Sequence, residues 1–240
     1  AIGLGALVCA LLVMQPDVGQ TILLAAIWGV MYLLAGLPLA GAAILAGIGL
    51  SGLIVAYFVF PHVHDRIDRF IDASQELNSQ AARAFESFSQ GGFFGRGPGE
   101  GTIKTRFPDA HTDYIYAVLA EEYGAVACLA LAALFGFIVI KALISALSEP
   151  RPANRIAIQG LAIMFGLQAL VNMGVNVGLL PATGMTLPFM SAGGSSILAI
   201  SNTLGMVLAL TRRRADSACY VMPEYAPATT ADGSALGRGG

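Results

Sequence analysis

LLPATGMTLPFMSAGGSS, residues Leu179–Ser196, decides how this chain must be read. The stretch lies between long apolar runs. It carries two prolines, three glycines and seven hydroxyl or sulfur side chains, more than a plain turn between membrane helices needs. In hydrocarbon, backbone that leaves the helix is tolerated only where protein or a watery cavity satisfies its freed N–H and C=O groups. The segment therefore reads as site-building backbone inside a membrane helix bundle.

Composition points the same way. Of 240 residues, 56% are hydrophobic and 12% charged, against about 25% charged in soluble domains. The charges gather within Asp65–Asp109 and near the C-terminal end. The runs between them reach the about 20 apolar residues that a helix needs to cross hydrocarbon. The expected fold is an all-α polytopic membrane bundle; a soluble fold would need helices apolar all round. A net charge of −2 and the lack of a basic groove with stacking aromatics exclude nucleic acid. Cys9, Cys128 and Cys219 are far apart and imply neither a disulfide framework nor a metal site. No signal peptide is visible. The chain opens inside AIGLGALVCALLVM without an initiator Met, so an N-terminal part is expected to be missing.

Six apolar segments are expected: Ala1–Met14, Thr21–Leu37, Leu39–Phe60, Tyr114–Leu147, Ile156–Leu180 and Leu187–Thr211. Three spans thus occupy residues 1–60 and three occupy 114–211, with a long extracytoplasmic loop over 61–113 between them. Within the loop, Asp65–Phe70 and Gln80–Ser89 fit short amphipathic helices lying at the membrane interface. The tail, 212–240, is rich in Ala, Gly, Pro and Thr and reads as disordered. Arg212, Arg213 and Arg214 close the sixth span, and Lys141, Arg151 and Arg155 flank the turn two connections earlier. By the positive-inside rule both ends are cytoplasmic. The 15–20 turn, the long loop and the Leu179–Pro188 turn then share the outer side.

Chemistry-bearing residues concentrate there. In Pro108–Asp113, PDAHTD, Asp113 opens the fourth span, with Thr112 or Asp109 as candidate caps. It is either a helix-start carboxylate favoured by the dipole or a general base whose pKa a low-dielectric boundary can raise. His111 either tunes it and contacts substrate or is simply structural. Asp17, in Gln15-Pro16-Asp17, is a turn residue or a second carboxylate of the site. Arg66, Arg69, Arg83, Arg96, Lys104 and Arg106 are interleaved with acids; most read as solvated or paired, and a subset can clamp phosphate. Gly91–Gly101 holds six glycines and reads as a flexible lid or as backbone in close approach, and it lacks the features of a Walker loop. Glu121 and Glu122 lie about two turns further into the fourth span than Asp113, as helix-tying or catalytic carboxylates. Gln168, Asn172 and Asn176 recur at i, i+4, i+8, one polar stripe that either joins helices or lines a cavity.

Gln15-Pro16-Asp17, Gly91–Gly101, PDAHTDYIYAVLAEEYG (Pro108–Gly124) and NVGLLPATGMTLPFMSAGGSS (Asn176–Ser196) together resemble the SEDS family, the FtsW/RodA-type peptidoglycan glycosyltransferases. The wording around GPGEGTIK and PDAHTD is closest to the cell-division FtsW branch. Ala192 stands where the family usually has an aromatic residue, and Gln80–Ser89 matches its Tyr-Gln pattern poorly. The resemblance implies the last six of ten spans. It also implies polymerisation of lipid II during cell division, on the periplasmic side of the bacterial inner membrane, with the C-terminus cytoplasmic. A class B penicillin-binding transpeptidase and other divisome proteins are the implied partners, among membrane lipids. It makes Asp113 and Asp17 the catalytic carboxylates. His111, Thr112, Gln15, Arg66, Arg69, Arg96, Lys104, Thr183, Ser191 and Ser195 are the expected substrate contacts. Glu121, Glu122, Gln168, Asn172 and Asn176 are the expected structural polar groups. The implied reaction is an inverting transfer, with Arg or Lys, and a divalent cation as the one candidate cofactor, stabilising the departing pyrophosphate. The piece is expected to be inactive without its missing spans. The rival readings are a lipid II flippase and a non-catalytic divisome scaffold.

Overall fold

The computed structural model describes residues 5, 8–9, 11–12, 15, 18–36, 38–72, 80–102 and 111–212. Among these, every regular element is a helix: α1 (Val18–Leu34), α2 (Leu39–Val59), α3 (Pro61–Asp72), α4 (Gln80–Gly91), α5 (Ile115–Leu147), α6 (Pro152–Asn176) and α7 (Gly194–Thr211). The helices α5, α6 and α7 are each long and apolar enough to cross a bilayer. The described apolar stretches of α1 and α2 are shorter. Most of the expected first segment, the Gln-Pro-Asp turn and the tail beyond Arg212 lie outside the described residues.

The core sits among α5, α6 and α7. Phe135 and Phe165 meet edge to face inside a cluster with Tyr116, Ala120, Cys128, Ala169, Leu187 and Ile200. A second cluster, Ala142, Ala146, Ile158, Ala162 and Val207, closes the opposite end. Small residues let these helices approach closely, as van der Waals packing in a membrane requires. Outward positions such as Leu129, Leu198 and Leu208 stay exposed, as a lipid-facing surface must. Helix α1 leans on α6, where a Cβ on Gly160 would meet the Met31 side chain, and α2 packs on α1 and α3.

The expected fourth span is not one straight helix. Gly124 has φ 81 and ψ 178 and divides α5 into Ile115–Tyr123 and Ala125–Leu147. The bend is sharp. The Tyr116 hydroxyl donates to the Cys128 carbonyl at 3.1 Å, and the Cys128 thiol lies 3.8 Å from the Tyr116 carbonyl. Twelve residues of straight helix would hold those groups about 18 Å apart. Glu121 and Glu122 therefore end a short first segment at an apex, rather than lying deeper along a continuous span.

Breaking a helix strands backbone groups, and here the glycine loop replaces the missing partners. In an unbroken helix Ala125 and Val126 would donate to Glu121 and Glu122. Instead they donate to Gly92 at 2.9 Å and Phe93 at 3.3 Å, while the Glu121 and Glu122 carbonyls accept from Arg96 at 3.0 Å and Gly97 at 3.1 Å. Close approach is what the glycines supply: a Cβ on Gly124 would collide with the Phe93 carbonyl, and one on Gly91 with the Ala120 carbonyl. Of the two readings of the Gly91–Gly101 stretch, the structure has close-approach backbone over its first half.

Other boundaries shift for local reasons. Helix α6 starts at Pro152, earlier than the expected Ile156, because proline is favoured in a first turn. It stops at Asn176, short of Leu180. Gly178 takes φ 75, and the Leu179 N–H returns to the Gly174 carbonyl at 2.9 Å, a glycine C-cap. The sixth apolar segment loses Leu187–Gly193 to the loop, since α7 begins at Gly194. The expected interfacial helix at Gln80–Ser89 is α4, and it docks on α5 with Ala84 and Ser87 buried. Helix α3 runs Pro61–Asp72, wider than Asp65–Phe70.

Candidate active site

The site forms where three elements meet: the turn 111–113 before α5, the polar stripe of α6, and the loop 177–193. Its organising feature is the fixing of three consecutive carbonyls. The His111 carbonyl accepts from the Ala192 N–H at 2.8 Å. The Thr112 carbonyl accepts from the Ser191 hydroxyl. The Asp113 carbonyl accepts from the side-chain amides of Asn172 at 3.0 Å and Asn176 at 2.8 Å. Both asparagines are fully buried, and an amide in that position must find partners.

The same groups hold the loop and start the helix. Asn172 also donates to the Met185 carbonyl at 2.6 Å, and Gln168 donates to the Thr186 carbonyl at 3.2 Å. The Thr186 hydroxyl lies 2.6 Å from that of Ser196, and the Leu187 N–H donates to the Ser191 hydroxyl at 2.7 Å. At the start of α5, Thr112 precedes the N-cap position by two residues. The N-cap residue is Tyr114, which makes no side-chain capping bond, and Asp109 lies outside the described residues. Another helix supports this first turn: Asn176 Oδ1 accepts the Ala117 N–H at 3.0 Å, which is shared with the Tyr114 carbonyl at 3.1 Å.

Asp113 and Thr112 are half-buried at the rim of this frame, and His111 is exposed. Thr183 lies against the start of α1, where a Cβ on Gly19 would come 2.6 Å from its carbonyl oxygen. The loop that grips Thr112 therefore also touches the helix that follows the Gln-Pro-Asp turn. Gln15 is exposed. Ser195 is exposed on the first turn of α7. Asp17 and Lys104 lie outside the described residues, and Arg66 and Arg69 fall on α3, their side chains likewise outside. Arg96 sits elsewhere, at the apex of α5, with its guanidinium 3.9 Å from the Glu121 carboxylate. Glu121 is wholly buried there and accepts the Thr102 N–H at 2.7 Å. Glu122, beside it, gives its carbonyl to Gly97. Among the described residues no group of three or more His, Cys, Asp or Glu is arranged to hold a metal ion.

Sequence reasoning singled out the polar stripe and Ser191, but not Thr186, Ser196 or Thr102. Hydroxyl density in the loop was visible; which hydroxyl meets which partner was not.

The sequence matches the FtsW/RodA/SpoVE family profile, described as cell cycle protein, over residues 1–216. The chain belongs to this family. It is 48% identical over 205 residues to the probable peptidoglycan glycosyltransferase FtsW of Caulobacter vibrioides, covering 85% of this chain and 53% of that protein. The protein of the same name from Saccharophagus degradans is 36% identical, with 84% and 54% covered. The chain thus spans about half the length of the curated relatives it matches. Among solved structures, it aligns with a chain from "Structural coordination of polymerization and crosslinking by a peptidoglycan synthase complex" at a TM-score of 0.68 and 31% identity, covering 88% of this chain and 62% of that one. It aligns with the rod shape determining protein RodA of Thermus thermophilus at 0.56 and 30% identity, covering 89% and 56%. The FtsW branch is the one its relatives support, and the fold is that of a polytopic membrane protein.

Proposed function

We propose that this chain carries the catalytic portion of a peptidoglycan glycosyltransferase of cell division, polymerising lipid II, with Asp113 as general base. The carrying observation is the immobilisation of three successive carbonyls, 111–113, by Ala192, Ser191, Asn172 and Asn176. Buried donors spent on one turn fix the backbone from which the half-buried Asp113 projects, which is how a catalytic group is held in productive geometry. The acceptor hydroxyl loses its proton to the Asp113 carboxylate as its oxygen bonds to the donor sugar's anomeric carbon. The pyrophosphate leaves with the electron pair of the broken bond, and the α linkage becomes β. Basic side chains stabilise the departing charge. His111 and Thr112 complete the site at the rim, and Asp17 serves the reaction as its second carboxylate. In this reading the site faces the periplasm, the C-terminus is cytoplasmic, and a transpeptidase links the nascent strands. The names of its relatives and the structural likeness to a peptidoglycan synthase chain support it.

The test is lipid II polymerisation by the full-length protein with its partner, in detergent, where no leaflets exist to be crossed. Asp113→Asn is expected to abolish strand synthesis with thermal unfolding unchanged. Strands of parental length from the Asn variant would overturn the base assignment.

A further inference from the structure

The apex of α5 carries a feature that glycosyl transfer does not use. Phe93 and Phe94 are 77% and 85% exposed, in a loop that is otherwise mostly glycine. They are not at the end of a loose loop. Backbone bonds from Gly92, Phe93, Arg96 and Gly97 tie the loop to both sides of the Gly124 break, so its height along the bundle is set by α5.

That height can be read from the helix. Ala125–Leu147 rises about 34 Å at about 1.5 Å per residue, close to the roughly 30 Å of bilayer hydrocarbon. From Ala125 to Ile140 it holds no charged residue. By length, the span places Gly124 near one edge of the hydrocarbon, with Glu121, Glu122 and Arg96 at the same end. Beside the break Tyr123 is exposed, and Val126 and Leu129 begin the exposed apolar face of the span. The Phe93 carbonyl is bonded to Val126 itself, so the two phenylalanines extend a surface that already faces lipid. The loop's backbone is satisfied by α5 and can lie at this depth without leaving polar groups open.

We propose that Phe93 and Phe94, with Tyr123, form an aromatic foot that enters the boundary between lipid headgroups and acyl chains. Aromatic rings favour that zone, and there the foot would brace the loop and the bent helix against the bilayer surface. The occupant is bulk bilayer lipid, and the inference does not depend on the reaction proposed above.

Phe94→Trp and Phe93→Trp, made separately in the full-length protein, test it. Each replaces one exposed aromatic by another, so folding is not at stake. The protein is placed in phosphatidylglycerol–phosphatidylethanolamine vesicles containing lipids brominated either near the headgroup or near the acyl terminus. The emission added over the parent protein is expected to be blue-shifted and to lose most of its intensity to the headgroup-proximal bromines, and less to the terminal ones. Emission at water-like wavelengths without bromine quenching overturns the proposal, because the loop then stands in solvent. Blue-shifted emission that neither bromolipid quenches overturns it too, since the rings would be covered by protein. Activity is not read, so this result stands whichever way the polymerisation assay falls.

Discussion

Two irregular regions of this molecule solve one problem in opposite ways. Around Gly124 a broken helix is repaired by backbone: carbonyls and N–H groups of the glycine loop take over the bonds that α5 gave up. Around Asp113 the backbone is gripped by side chains, with Asn172, Asn176 and Ser191 reaching in from elements far along the chain. Backbone repair requires that side chains be absent, so its sensitive positions are glycines. Side-chain gripping requires particular amides and hydroxyls, so its sensitive positions are polar residues. The first gives a fixed shape; the second gives a turn whose geometry each contact can tune, which suits the place where chemistry is proposed.

The contrast is sharpest where substitution should do most. Asp113→Asn in the full-length protein is expected to lower polymerisation by at least about 100-fold, the usual range for losing a general base, with no shift of the unfolding midpoint. Activity and stability separating there would set the gripped region apart from the repaired one. Gly124→Ala should do the reverse first. It forces a side chain into a backbone conformation reserved for glycine and against the Phe93 carbonyl, at a cost of about 3 kcal/mol or more. Thermal unfolding in detergent measures it, and an unchanged midpoint would show that the loop can retreat and that the repair is dispensable.

Next in size is Asn176→Ala. It removes one of the two amide donors to the Asp113 carbonyl and the side-chain acceptor for Ala117 inside a buried frame, and should destabilise by about 1–3 kcal/mol. Polymerisation should fall further than that stability loss explains. Least of all, Gly194→Ala should leave unfolding within about 0.5 kcal/mol of the parent, because a Cβ there meets nothing within 4 Å. A glycine that matters beside Ser191 and one that does not at Gly124 would invert the comparison.

Much of this was legible in the residues. The spacing of Gln168, Asn172 and Asn176 placed them on one stripe, and the stripe grips the loop. The density of Pro, Gly and hydroxyls in 179–196 marked irregular backbone, and the structure has no helix between Val177 and Gly193. The bend at Gly124 was not legible, because a single glycine within an apolar run is common in membrane helices that stay straight. The contribution of Asn176 to the start of α5 was not legible either. Sequence rules look for a cap among adjacent residues, whereas the Ala117 N–H meets a side-chain acceptor 59 positions away.

By itself the sequence determined an all-helical membrane protein, because hydrocarbon thickness sets how long an uncharged run must be and excludes unsatisfied backbone from lipid. Only the tertiary structure decided where α5 folds back, which amide meets which carbonyl, and which aromatic rings are left uncovered. Those outcomes depend on distances between residues dozens of positions apart, and no local pattern in a chain carries them.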